Sequence, residues 1–475
     1  MSNIAVNFLD QPDGVDQHST PALPLYAVRP DEREAFLQQL GASAANQATL
    51  HNFQAKPGQI LLLPDEHGCL AGAVLGLGTA PIIAAFGAAA SALPADTVWH
   101  IERGEAFGAQ AELGFVLGAY KYQSQTMQKN KLARLHAVSP QNRIIAGSVM
   151  MARELINTPP NLLGPKELAD AASAIAKRFN ADFERLDGQD LKARFPTIYA
   201  VGAGSVRAPE AVILRWKGSQ ADSSSPLISL CGKGVCFDTG GYNLKPGSAM
   251  RLMRKDMGGA AITLGLASAI MALDLTLRLE LRIGCVENSV SGHAMRPSDV
   301  LRTRAGLTVE VGDTDAEGRL VLCDLLHEAC EAKPDWLIDI ATLTGAARVA
   351  LGPDLPALLC NNDNMADLIL AAGKTANDPL WRLPLFESYS SWLATPFADL
   401  CNISSKPFAG AITAALFLQN FVTPGVSWAH IDTYAWNDSN RPGKPEGGEA
   451  QSLMALLSAA IGLAQQSNVS NRTPA

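Results

Sequence analysis

Gly312-Asp313-Thr314-Asp315-Ala316-Glu317-Gly318-Arg319-Leu320 joins a strand-like segment to a helix-like one. Upstream, Leu307, Val309 and Val311 alternate with Thr308 and Glu310, the pattern of a half-buried strand. Downstream, Leu320 to Ala332 is apolar at helical spacing. An extended backbone from Asp313 would send Asp313, Asp315, Glu317 and Arg319 to one side, because strand side chains alternate. Carboxylates gathered at a strand's carboxyl end are costly unless a cation compensates, and hard oxygen ligands suit divalent metals. The same residues also fit a calcium loop, with Asp313, Asp315, Glu317, Gly318 and Asp324 at its first, third, fifth, sixth and twelfth positions. Against that reading, the segment before the loop is strand-like where an EF-hand has a helix, and the twelfth residue is Asp rather than Glu.

Outward from this stretch, strands read at Ala211–Trp216, Leu227–Cys231, Leu277–Cys285, Trp336–Ala341 and Val426–Asp432. Helical stretches separate them, among them the Gly- and Ala-rich Met257–Leu273. Strands interleaved with helices predict an α/β fold with a mixed, largely parallel sheet covered by helices. Ligands of such folds lie beyond the carboxyl ends of the strands. There the chain carries Lys233, Asp238 and Lys245 after the second strand, Glu287 and Asn288 after the third, and Thr342 to Gly345 after Trp336–Ala341.

Residues 1–138 read as a smaller N-terminal α/β domain, with strands at Gln59–Leu63 and Ala73–Leu77. The uncharged run Ala71–Leu93 contains glycines and Pro81, and reads as strand, turn and buried helix rather than a membrane span. His18, His51, His67, His100 and His136 are scattered and read as structural or surface residues. Ser139 and Pro140 open a helix, cap and first position, that Thr158-Pro159-Pro160 stops. The expected division is therefore 1–138, a connecting helix 139–157, and a catalytic domain 158–475.

The 475 residues carry a net charge of -8, with 18% charged, which predicts a soluble protein and gives no electrostatic footprint for nucleic acid. No basic region followed by an apolar stretch opens the chain, so neither a signal peptide nor a membrane association is expected. The eight cysteines include no Cys-x-x-Cys pair, and several lie in apolar runs, as in proteins of a reducing, cytoplasmic compartment. Several chemistries lack their signatures. No Gly-x-x-x-x-Gly-Lys-Ser/Thr or Gly-x-Ser-x-Gly occurs, and His327-Glu328 is followed by Glu331 where a zincin has its second His. What remains is a set of four carboxylates, Asp238, Asp256, Asp315 and Glu317, with Lys233, Lys245 and Arg319. Two dications would neutralise four carboxylates, the balance a buried dinuclear site requires.

Gly232-Lys233-Gly234-Val235-Cys236-Phe237-Asp238-Thr239-Gly240-Gly241, Asn243-Leu244-Lys245-Pro246, Lys255-Asp256-Met257-Gly258-Gly259-Ala260-Ala261, Thr314 to Leu320 and Ala341-Thr342-Leu343-Thr344-Gly345-Ala346 together resemble the leucyl (cytosol) aminopeptidase family. The resemblance covers about residues 150 to 435 well and the N-terminal region weakly. It implies a metal-dependent hydrolase that removes the N-terminal residue of short peptides through a water or hydroxide bridging two metals, zinc or manganese. One metal would be held by Asp238, Asp315 and Glu317, the other by Lys233, Asp238, Asp256 and Glu317. Lys245 would stabilise the oxyanion, and Arg319 would hold a bicarbonate ion that shuttles protons. The substrate's α-amine would bind one metal and a nearby carboxylate. Substrate contacts would fall on Met253, Thr342, Leu343 and Gly345, and the partner state implied is a homo-hexamer. Two departures stand out: Asp313 replaces the usual Asn, and Asp432-Thr433-Tyr434-Ala435-Trp436-Asn437 replaces the usual Asp-Ile-Ala-Gly. They place Tyr434 and Asn437 on positions expected to line the pocket for the first side chain. The rivals are a binding or scaffold protein that retains the fold without the reaction, and the calcium-binding module.

Overall fold

The computed structural model describes residues 6–16, 21–102, 107–122 and 132–470. The chain forms two compact units. The smaller holds Asn7–Met150 and Asn437–Gly447; the larger holds Met151–Trp436 and the chain from Gly448 onward. The division falls inside a helix, Pro140–Asn157.

In the smaller unit, β1 (Leu23–Val28), β2 (Ile60–Pro64), β3 (Leu70–Gly76), β4 (Val98–Ile101) and β5 (Arg134–Leu135) form one sheet in the order β2-β3-β1-β4-β5. Only the β2–β3 pair is antiparallel. The uncharged run after residue 70 is β3 followed by the helices Ile82–Gly87 and Ala89–Ala92. Among the described residues, no helix is long and apolar enough to cross a membrane. None of His51, His67, His100 and His136 joins a metal-holding cluster, and His18 lies outside the described residues.

The larger unit is built on an eight-stranded sheet. Its strands are β6 (Asp182–Leu186), β7 (Glu210–Lys217), β8 (Leu227–Asp238), β9 (Arg278–Asn288), β12 (Trp336–Ala341), β13 (Ala357–Cys360), β14 (Trp381–Arg382) and β16 (Trp428–Asp432), in the order β14-β13-β16-β12-β8-β9-β7-β6. The central run β16-β12-β8-β9 is parallel, and antiparallel pairs flank it. Every residue of β12 and β16 is buried, as expected of strands covered on both faces. The helix Gly258–Ala272 packs closely: a Cβ on Gly259 would fall 2.0 Å from the Ile340 carbonyl oxygen, so only glycine lets the helix start against β12.

Three expectations need correction. The third predicted strand extends past Cys285, so Glu287 and Asn288 lie on it, and the second is longer than Leu227–Cys231. The second runs through to Asp238, so Lys233 and Asp238 lie on the strand rather than beyond it. The strand read at Leu307–Val311 is the short β11 (Thr308–Glu310). It belongs to a separate three-stranded sheet with β10 (Val300–Arg302) and β15 (Leu400–Cys401), not to the central sheet. Six of the eight cysteines are buried, and all eight are free thiols.

Candidate metal centre and substrate cavity

β8 carries Lys233 and Asp238 at odd and even positions, which a regular strand would send to opposite faces. The β8–β9 register shifts between Val235 and Phe237: Val235 faces Val286, and Phe237 faces Glu287. The extra residue is a β-bulge, and it restores Asp238 to the face of Lys233. Asp238 Oδ1 then accepts from the Gly240 N–H and from Asn288 Nδ2, both at 2.8 Å. Asn288 also donates to the Thr314 carbonyl at 3.0 Å, tying β9 to the acidic loop.

The acidic loop is not the extended ribbon expected. Asp313 Oδ1 accepts from the Asp315 N–H at 2.8 Å, which folds the chain into a turn, and the helix begins at Glu317. Asp313 therefore performs a backbone-capping task that an Asn oxygen would also perform. Thr314 is fully buried; its hydroxyl donates to the Gly240 carbonyl at 2.6 Å and accepts from the Asn243 N–H at 2.8 Å. Gly240 has φ +87°, and a Cβ there would lie 2.8 Å from Asp315 Oδ1. Both the backbone conformation and the close approach require glycine. The calcium-loop alternative fails on the same geometry. Asp324 lies well inside the helix, where it accepts from the backbone N–H groups of Thr197 at 2.9 Å and Arg304 at 2.7 Å.

Asp238, Asp315 and Glu317 each offer an oxygen within 4.8 Å of the others. Asp256 joins them from the short helix Met253–Met257. Lys233 Nζ stands 2.8 Å from Asp256 Oδ2 and 2.9 Å from Glu317 Oε1, and donates to the Thr342 carbonyl at 2.9 Å. Lys245 Nζ stands 2.7 Å from Asp238 Oδ2 and 2.6 Å from Asp315 Oδ1. Thr342 Oγ1 donates to Asp256 Oδ1 at 2.7 Å.

Four carboxylates against the two ammonium groups that contact them, with Lys255 beside Asp256 as a third cation, leave negative charge in excess in a largely buried place. Burial, with the neighbouring Asp238, pushes Asp315 up to about 6 and drives Glu317 well above the usual carboxylate range. Burial would lower Lys233, but the fields of Asp256, Glu317 and Asp238 overcome it and hold the amine above its ordinary range. Both Glu317 oxygens are buried and accept no hydrogen bond, and the same holds for Asp256 Oδ2 and Asp315 Oδ1. Lys233 and Lys245 pair with some of these atoms by distance without aligned hydrogen bonds. Buried oxygens that lack acceptor geometry and share surplus negative charge fit divalent cations.

A cavity of about 470 Å³ opens beside this cluster. Lys233, Asp238, Lys245, Asp256 and Asp315 line it, as do the expected substrate residues Met253, Thr342, Leu343, Gly345 and Tyr434. Asn437 is not among its lining residues: its amide donates to the Pro445 carbonyl at 3.0 Å, and its oxygen accepts from Arg441 at 3.0 Å. Arg319 does not line the cavity either. It sits in the first turn of the helix Glu317–Glu331 and donates to the Asn402 carbonyl. Burial lowers it to about 10.

Three charged cavity residues lie outside the set expected from the sequence: Asp432, Lys255 and Arg348. Asp432 accepts from the N–H groups of Leu343 at 3.0 Å and Thr344 at 3.1 Å, and from the Thr344 hydroxyl at 2.6 Å, which fixes the loop after β12. Lys255 is buried, and burial lowers it to about 8, with Lys233 and Arg348 adding to the effect. Arg348 lies on the helix Gly345–Leu351. The one available signal was the pair Arg254-Lys255 directly before the ligand candidate Asp256.

Residues 150–457 match the catalytic domain of the cytosol aminopeptidase family, and residues 23–138 match the M17 aminopeptidase N-terminal domain. A probable cytosol aminopeptidase of Pseudomonas fluorescens (strain Pf0-1) is 44% identical over 309 residues, 63% of this chain and 62% of that protein. The chain thus spans about three fifths of the length of that curated relative, 62%. A probable cytosol aminopeptidase of Caulobacter vibrioides is 40% identical over 359 residues, 71% of this chain and 72% of that protein. Among solved structures, the cytosol aminopeptidase of Coxiella burnetii superposes with a TM-score of 0.89 at 40% identity, covering 95% of this chain and 98% of that one. The bottromycin maturation enzyme BotP in complex with Mn gives 0.84 at 31% identity, covering 94% and 100%. The chain therefore belongs to the cytosol aminopeptidase family.

Proposed function

We propose that this chain is a dinuclear-metal aminopeptidase that hydrolyses the first peptide bond of short peptides with a free N-terminus. The observation that carries the reading is the cluster of Asp238, Asp256, Asp315 and Glu317, whose buried oxygens outnumber the cations beside them. Asp238, Asp315 and Glu317 would hold one ion; Lys233, Asp238, Asp256 and Glu317 would hold the other. When bound, two zinc or manganese ions supply Lewis acidity and a water acidified into the neutral range. BotP, a relative in fold, is described in complex with Mn.

The remaining roles belong to the protein. Lys233 can ligate only as a neutral amine, so loading must release its proton. Lys245, half-enclosed at the cavity wall, keeps its charge through Asp238 and Asp315 and faces the place where a scissile carbonyl would develop negative charge. Thr342 holds Asp256 in orientation through its hydroxyl. Asp432 occupies the N–H groups of Leu343 and Thr344, so substrate contacts on this loop use its other polar groups. Among the described residues, Arg319 donates to the Asn402 carbonyl, and the reading gives its remaining donors to an anion such as bicarbonate. The resemblance adds a cytoplasmic homo-hexamer.

The test is elemental analysis of purified protein together with hydrolysis of an amino-acid anilide before and after chelation. The reading requires about two ions per chain and activity that leaves with them. Full activity in metal-free protein would refute it.

A further inference from the structure

Three side chains meet on one wall of the cavity. Lys255 Nζ lies 4.6 Å from the centroid of the Tyr434 ring, and Arg348 Cζ lies 4.9 Å from the same centroid. All three line the cavity. Lys255 is 6% exposed, yet among the described residues its ammonium makes no ion pair and donates no hydrogen bond. The carboxylates nearby are engaged elsewhere: Asp432 by Leu343 and Thr344, Asp256 by Lys233 and Thr342. An aromatic face offsets only part of the cost of burying an ammonium. The rest is recovered when an anion enters beside it. Arg348, exposed at the cavity's rim, adds a second cation over the same ring.

We propose that Lys255 and Arg348 form a carboxylate subsite for the side chain of the substrate's N-terminal residue, so that glutamate and aspartate are preferred over neutral residues of the same shape. The inference rests on the aminopeptidase reading above. Lys255 precedes Asp256, the carboxylate next to which the free α-amine would bind, and the first side chain leaves the same Cα as that amine. Tyr434 and Met253 line the same cavity. A large apolar first residue would displace water from Lys255 without supplying a partner, and a polar group left unpaired discriminates strongly between substrates.

The experiment compares glutamyl, glutaminyl and leucyl anilides on the metal-loaded protein, with Leu-Gly and Leu-Gly-amide as a pair that differs only in the C-terminal carboxylate. Glutamyl should exceed glutaminyl anilide in kcat/KM by about tenfold or more, the scale of one charged hydrogen bond. Lys255→Met should bring the ratio to about one, and Arg348→Gln should reduce it several-fold. Free glutamate should raise the Tm of the loaded protein more than glutamine does. If Lys255→Met fails to fold, the wild-type ratio and the rim variant Arg348→Gln decide. A glutamyl rate at or below the glutaminyl rate overturns the proposal, as does a ratio that survives Lys255→Met or a carboxylate preference confined to Leu-Gly over its amide. In those cases turnover of leucyl anilide still upholds the aminopeptidase reading. No turnover of any of these substrates with metal present removes both.

Discussion

Lys233 on β8 and Arg282 on β9 belong to one strand pair, two register steps apart, with Lys233 beside Gly284 and Cys231 beside Arg282. Both are buried cations among carboxylates, and their surroundings differ. Arg282 donates to Glu328, to Ser229 Oγ at 2.7 Å and to Glu280 Oε2 at 2.6 Å, so its fork is filled by fixed partners. Around Lys233 the carboxylates outnumber the ammonium groups, and both Glu317 oxygens lack aligned donors. The first arrangement satisfies itself within the protein. The second stores an electrostatic deficit that a divalent ion would relieve, and it lies where the cavity opens. Buried charge alone does not separate structure from chemistry; whether the hydrogen bonds close does.

The contrast can be broken at either cluster. The largest expected stability effect is at the closed one. Arg282→Met strips the buried Glu328 of its close partner, for a loss of about 3–5 kcal/mol in urea unfolding. Arg215, whose Nη2 lies 3.9 Å from Glu328 Oε1, moves the outcome toward the lower end of that range. In chelated protein, Glu317→Gln should cost far less or even stabilise, because it removes one negative charge from an over-acidic cluster. A large loss of stability there would erase the distinction.

Next in size is Lys245→Ala. Metal content should persist while kcat falls by about 10²–10³, the effect of losing one preorganised donor to an oxyanion. A variant that binds no metal would mark Lys245 as part of the ion's scaffold instead. The smallest effect is at the pocket wall. Tyr434→Ala opens volume in the cavity that it and Met253 line, and kcat/KM for leucyl anilide should rise by the ~1–3 kcal/mol that apolar pocket changes yield. A leucine optimum in the wild type, unmoved by this variant, would show that Tyr434 does not set the preference.

Much of this was legible in the sequence. The alternation of strand and helix predicted the parallel core, because buried strands need long apolar runs and crossovers need helices. Asp238, Asp256, Asp315 and Glu317 stood out as carboxylates at the ends of apolar segments. The bulge at Cys236 was hidden. Nothing in Gly234-Val235-Cys236-Phe237 marks an extra residue, since a bulge appears only against the partner strand, yet it decides which face Asp238 takes. The turn at Asp313 is hidden too, because the sequence does not show that its carboxylate will cap the Asp315 N–H. Asn437 is expected in the pocket through what the resemblance implies for the stretch after Asp432, but the backbone turns at Ala435, with φ 53°, and its amide finds Pro445. Lys255 is not legible as a cavity residue, because a lysine beside a candidate ligand reads as surface until its burial is seen.

Isothermal titration of chelated protein with Zn²⁺ or Mn²⁺, wild type against Glu317→Gln, tests the central claim most directly. Wild type should take up about two ions per chain, release protons as Lys233 gives up its own, and gain Tm with loading. Glu317→Gln should bind weakly or not at all while remaining folded. Equal stoichiometry and affinity in the two proteins, or no uptake by the wild type, would contradict the account.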